Sequence, residues 1–151
     1  PFTHAPKTGQ GGRFNRDFGM FYCTPHEKVA IAETSYHRAR FLSDSRIVEE
    51  TFEMRVLRAY LGPEQLHDIC GIDDTDIYHP EDYTHSQILG ATLKKNNSFG
   101  LSYQSVRAPG ECYAVMRPIV LSNAVHVKYL RYTYQNGGIV SVEPCNDLGH
   151  A

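Results

Sequence analysis

The sequence predicts an α+β fold. Helix signals cluster in the first two thirds, strand signals dominate the last third, and the two do not alternate regularly. That last observation disfavours a doubly wound parallel sheet. The elements follow in order. Pro1 to Gly12, rich in Gly, Pro, Thr and Lys, reads as loop. Gly19 to Cys23 is a short apolar stretch with strand character. Thr24-Pro25-His26-Glu27 then marks a helix start, with Thr24 as cap, Pro25 at the first helical position and Glu27 completing a capping box. This helix is expected from Pro25 to about Phe41. Thr51 to Tyr60 alternates Phe52, Met54 and Val56 with Glu53 and Arg55, a strand pattern. A short strand is expected at Gln65 to Ile69, followed by an acidic, solvated turn over Gly71 to Pro80. Glu81 to Lys95 reads as a second helix whose closing lysines suit the negative end of the dipole. Gly100 to Val106, Cys112 to Arg117 and Ala124 to Tyr134 read as strands. Asn136-Gly137-Gly138 is a strong turn before a last strand at Ile139 to Val142.

At 151 residues the chain has the size of one domain with one core, and 1–151 is read as such. It begins at Pro1 without an initiator Met, which leaves room for an upstream segment. Fifteen Lys and Arg against seventeen Asp and Glu give a net charge of −2, a poor balance for direct nucleic-acid binding. Apolar runs are only a few residues long and mean hydropathy is −0.42, so no segment reads as a membrane span. Cys23, Cys70, Cys112 and Cys145 lie far apart with no C-x-x-C pair, so they read as thiols in a reducing cytoplasm; two disulfides are the alternative.

The familiar catalytic signatures are absent. Neither a P-loop nor a G-x-G-x-x-G occurs, and Gly9, Gly11 and Gly12 lack the spacing and the leading strand. G-x-S-x-G and H-E-x-x-H are missing as well, and the eight histidines show no ligand spacing, so no metal is expected. Asp73, Asp74 and Asp76 lack the length and terminal Glu of a calcium loop. In the first helix, Val29, Ala30, Tyr36 and His37 lie at −4, −3, +3 and +4 from Glu33, so this acid has largely apolar or aromatic neighbours. An acid at the edge of the buried stripe, its carboxylate reaching water, is the alternative.

Four segments together resemble the RES domain family: Gly12-Arg13-Phe14-Asn15, Phe21-Tyr22, Ala30-Ile31-Ala32-Glu33-Thr34 and Tyr103-Gln104-Ser105-Val106-Arg107. The family takes its name from an Arg, a Glu and a Ser, matched by Arg13, Glu33 and Ser105. Order and spacing agree from about Phe2 to Val142. The resemblance implies a core similar to ADP-ribosyltransferases, of mainly antiparallel strands with flanking helices. It implies a toxin of a bacterial toxin–antitoxin module that consumes NAD+ as substrate and uses no cofactor. The expected partner is an Xre-type helix-turn-helix antitoxin, with a basic or mixed-charge segment inserting near Arg13 and Glu33. Transfer of ADP-ribose to a protein, a secreted effector with an immunity protein, and a catalytically silent binding module are the competing readings.

The chemistry of NAD+ cleavage asks for these residue types. A pyrophosphate is held well by the paired donors of an arginine, here Arg13 behind Gly11 and Gly12, with Lys7 or Arg16 as helpers. Breaking the nicotinamide–ribose bond develops an oxocarbenium-like sugar, which one nearby carboxylate stabilises; Glu33 is the candidate. A pyridinium ring favours an aromatic face, for which Tyr22 is first choice and Tyr36 the reserve. No His-Asp relay accompanies Ser105, so its hydroxyl is assigned to the nicotinamide amide or to positioning Glu33. Arg107 meets a phosphate or pairs with an acid, and Asn15 and His37 are supporting groups.

Overall fold

The computed structural model describes residues 11–145. The helper role expected of Lys7 and most of the opening loop lie outside them. Among the described residues, two helices and seven strands form an α+β arrangement in which most strand pairs are antiparallel. The described chain divides into two units, one from residues 11–30 and 62–120, the other from 31–61 and 121–145.

The first unit is built on a four-stranded sheet. β1 (Phe21–Cys23) pairs with β5 (Glu111–Val115), β5 with β4 (Gly100–Gln104), and β4 in parallel with β3 (His67–Asp68). One face carries Leu101, Tyr103, Cys112 and Ala114, which pack with Phe14, Met20, Val29 and Ile69 into the core. Helix α2 (Thr84–Lys95) adds Leu89 and Leu93 to that core. Its approach is close at Gly90, where a Cβ would strike the carbonyl of Phe14. Only glycine allows the loop and helix to touch there.

The second unit holds a three-stranded antiparallel sheet of β2 (Glu49–Leu61), β6 (Leu121–Gln135) and β7 (Gly138–Cys145), in the order β2-β6-β7. Leu130, Tyr132 and Tyr134 are its buried residues from β6, with Leu42 from the helix. The turn from β6 to β7 is the one expected at Asn136-Gly137, both with positive φ (50° and 94°).

Helix α1 (Glu27–Asp44) begins in the first unit and continues in the second. It starts two residues later than Pro25 and ends three beyond Phe41. Its first turn is organised by His26, whose carbonyl accepts from the N–H groups of Val29 and Ala30. The Thr24 hydroxyl accepts from His26 N–H at 3.2 Å and donates to the Glu111 carbonyl at 2.7 Å. Thr24 therefore anchors the chain at the helix start to β5.

The other boundaries differ for identifiable reasons. α2 begins at Thr84, not Glu81, because His79 Nδ1 accepts from the N–H groups of Glu81 and Asp82 and holds them in a turn. Asp82 then accepts from both the N–H and the hydroxyl of Thr84. β4 stops at Gln104, since the Ser105 hydroxyl accepts from the N–H groups of Arg107 and Ala108 and turns the chain. β1 and β3 are shorter than expected, while β2, β6 and β7 each extend beyond the alternating core of their pattern.

Candidate active site

A polar cluster in the first unit gathers residues far apart in sequence. The loop Gly12–Phe18 is shaped by Asn15, which is 5% exposed. Its carbonyl Oδ1 accepts from Gly12 N–H at 3.2 Å and from the Tyr22 hydroxyl at 2.5 Å, and its Nδ2 donates to Phe18 O at 2.8 Å. The Tyr22 hydroxyl in turn accepts from Phe14 N–H at 3.0 Å. Tyr22 thus pins the loop to β1 by its tip. Burial of that tip raises its pKa well above the ordinary phenol value, against the lowering influence of Phe14 N–H and the Arg13 charge. The residue as a whole is 36% exposed, so part of it remains accessible.

Arg13 is 8% exposed. Its Nη1 donates to the carbonyls of Ile77 (3.1 Å) and His79 (2.8 Å), and its guanidinium lies 4.6 Å from the centroid of the Tyr83 ring. Arg107 reaches the same place from the turn after β4. Its Nη2 donates to the Pro80 carbonyl and approaches the Tyr83 hydroxyl at 3.4 Å. Two guanidinium groups therefore grip the segment 77–83 and share one aromatic residue. Two positive side chains meet at this segment, which also carries Glu81 and Asp82. Gln87 Nε2 of α2 donates to Gly12 O at 3.0 Å and completes the frame.

The segment 71–80 forms the expected turn. Asp74 Oδ1 accepts from the N–H groups of Asp76 and Ile77, and Asp74 O accepts from Tyr78 N–H. This folding aims the 77 and 79 carbonyls at Arg13. Tyr83 and these carbonyls are the components that sequence reasoning missed. No local pattern marks them, because the partners are 64 and 66 residues apart. Arg107, expected to meet a phosphate or an acid, donates to a carbonyl and a phenol.

Ser105 belongs to the same unit. Its N–H donates to Gly110 O at 2.9 Å, and its hydroxyl closes the 105–108 turn that presents Arg107. Glu33, Tyr36 and His37 stand on α1 in the second unit. The Glu33 carboxylate is 3.7 Å from His37 Nε2, its side chain 24% exposed. Tyr36 accepts from Arg40 Nη1 at 3.2 Å and meets the His37 ring edge-on. Glu33 is thus half-buried beside a histidine rather than among apolar groups alone. The adjacent Thr34 hydroxyl lies 2.8 Å from the Tyr132 hydroxyl, which fixes this turn of the helix to β6.

All four cysteines are free thiols, Cys112 buried and the other three half-buried. Among the described residues, no helix is long and apolar enough to cross a membrane.

No curated protein matches the chain. A family model describing the RES domain matches residues 1–135, a span that includes Arg13, Glu33 and Ser105 together with the cluster around Tyr83. On that match, the chain belongs to the RES domain family.

Proposed function

We propose that the chain is an NAD+-degrading toxin that cleaves the nicotinamide–ribose bond, with water or inorganic phosphate as acceptor of the ADP-ribosyl group. The observation that carries this reading is the pair of guanidinium groups, Arg13 and Arg107, fixed on Tyr83 in a chain of the RES family. A dinucleotide needs a preorganised positive corner for its pyrophosphate, and a corner already bonded to main chain needs no rearrangement when the ligand arrives. Arg13 is first a strut: its Nη1 fixes 77–79, and its charge supplies the field. Arg107 and the accessible part of Tyr22 complete the subsite, for phosphate and for the pyridinium ring respectively.

The chemistry then needs one more group. As the C1′–N bond breaks, its electron pair leaves with nicotinamide, which departs neutral, and positive charge builds on the ribose. The Glu33 carboxylate is assigned to stabilise that charge. Water or phosphate attacks C1′; when water attacks, its proton passes to a base such as Glu33. His37, at 3.7 Å, orients the carboxylate. An Xre-type antitoxin is the proposed inhibitory partner, because an uncontrolled activity of this kind harms the cell that makes it.

Nicotinamide release from NAD+ by the purified chain tests the reading, with and without phosphate and beside Glu33→Gln. Release is expected to fall by about two to three orders of magnitude in the variant. The mass of the ribosyl product names the acceptor. Absence of release from folded, partner-free protein overturns the proposal. Labelled protein bands in its place would mean ADP-ribosyl transfer to protein.

A further inference from the structure

β2 is the outermost strand of its sheet, and among the described residues its ladder partner is β6 alone. It is 13 residues long and contains no proline. Such an edge exposes a row of N–H and C=O groups that proteins usually shorten, interrupt or cover. The opposite edge, β7, is shorter and carries Pro144. The register shifts between β2 and β6 fall after Val56 and after Arg58, and β2 alternates regularly from Thr51 to Leu57. Glu50, Phe52, Met54, Val56 and Arg58 share one face, half-buried at its centre, and Thr51, Glu53, Arg55 and Leu57 share the other, which is exposed.

We propose that β2 pairs antiparallel with β2 of a second copy of this chain, about a two-fold axis at Met54, joining two three-stranded sheets into one. The argument is the self-complementarity of the strand. Its acids (Glu49, Glu50, Glu53) all precede its bases (Arg55, Arg58). A parallel pairing in register sets like charges against each other, whereas an antiparallel pairing sets acids against bases. A two-fold perpendicular to the sheet requires one residue to face its own copy. Centring on Glu53 or Arg55 puts like charges on the axis. Centring on Met54 places Glu50 opposite Arg58 and Phe52 opposite Val56 on one face, and Glu53 opposite Arg55 on the other. Each of these pairs occurs twice by symmetry.

Glu53 already lies 3.9 Å from Arg131 of β6, so the new arginine would extend an existing pair into a network. Beside this edge, Phe41, Ile47, Phe52 and Met54 border a groove of about 330 Å³, with Phe41 60% exposed. Apolar surface therefore reaches the edge that the second copy would cover.

Sedimentation equilibrium of the purified chain over a wide loading range tests the proposal. A monomer–dimer equilibrium is expected. Arg55→Glu/Arg58→Glu and Glu50→Arg/Glu53→Arg should each be monomeric by mass, and an equal mixture of the two should form a one-to-one heterodimer. Amide hydrogen exchange on the wild-type chain gives a readout independent of any variant's folding. Amides of Thr51 to Leu57 should gain protection as concentration rises. A wild-type chain that stays monomeric, a charge-reversed variant that still dimerises, a mixture that does not associate, or exchange that ignores concentration would overturn the proposal.

Discussion

The two units are stabilised in different ways. Among the described residues, eleven buried apolar residues fall in the first unit and four, Leu42, Leu130, Tyr132 and Tyr134, in the second. The four buried polar residues, Arg13, Asn15, Ser86 and Ser102, all belong to the first. Large apolar residues left exposed run the other way, eight in the second unit against four in the first. The first unit therefore rests on burial and on side-chain bonds that span dozens of residues. The second rests mainly on two long antiparallel ladders. A preorganised polar corner needs the former kind of support, since each of its members is held by a neighbour that is itself held.

The largest expected contrast lies between Phe14 and Val48. Phe14 is 0% exposed and meets the Tyr103 ring edge-on at 4.8 Å, while Val48 is 66% exposed. Phe14→Ala should cost about 3–5 kcal/mol. Val48→Ala should cost no more than about 0.5 kcal/mol. Urea denaturation measures both, and comparable losses would break the comparison. Arg13→Met comes next. It removes the donor that satisfies the Ile77 and His79 carbonyls, an expected cost of about 1–3 kcal/mol. Arg13→Lys keeps a charge but not the fork. It should preserve most of that stability and of the field, so nicotinamide release should fall far less than in Arg13→Met.

Much of this architecture was legible in the sequence. The alternation of Phe52, Met54 and Val56 announced β2, and Asn136-Gly137 announced the β6–β7 hairpin, because period and turn chemistry are local properties. The helix ends were less legible. Their final residues are set by partners elsewhere, as when Thr24 bonds to Glu111, 87 residues away. The candidate site divides along the same line. Arg13, Asn15 and Tyr22 sit in short segments with a family likeness, and the structure brings them together. Tyr83 and the carbonyls of 77–80 were silent, since an aromatic face or a main-chain oxygen carries no sequence signature of its own. Ser105 was legible as a residue, but its place in the turn that presents Arg107 was not.

A smaller contrast sharpens the comparison through two hydroxyls. Tyr22→Phe removes a group that both accepts from Phe14 N–H and donates to Asn15 in a buried loop. Its expected cost is about 1–2 kcal/mol. Tyr132→Phe removes one bond to Thr34 in the second unit, where Thr34 also donates to Ile31 O. That hydroxyl keeps a partner, so about 0.5–1 kcal/mol is expected. Equal losses at the two sites would mean that the polar ties of the first unit are not cooperative.

The smallest effect concerns the thiols of the first unit. Burial pushes Cys23 up to about 11 from the ordinary 9.0. Burial, then the neighbouring Asp68, does the same for Cys70, also to about 11. Between those values the unfolded chain has lost thiol protons that the folded chain keeps. The folded state binds more protons, so stability must fall as pH rises through this window, and below pH 9 the contribution is fully present. Urea midpoints measured at pH 8 and pH 10 should therefore decline, and Cys23→Ser/Cys70→Ser should flatten the decline. Thiolate is the reactive form, so both cysteines should also react with a disulfide reagent at pH 8 more slowly than in the urea-unfolded chain. Fast reaction in the folded protein would show that the sheet beneath them opens readily, and the first unit would lose its claim to be the rigid one.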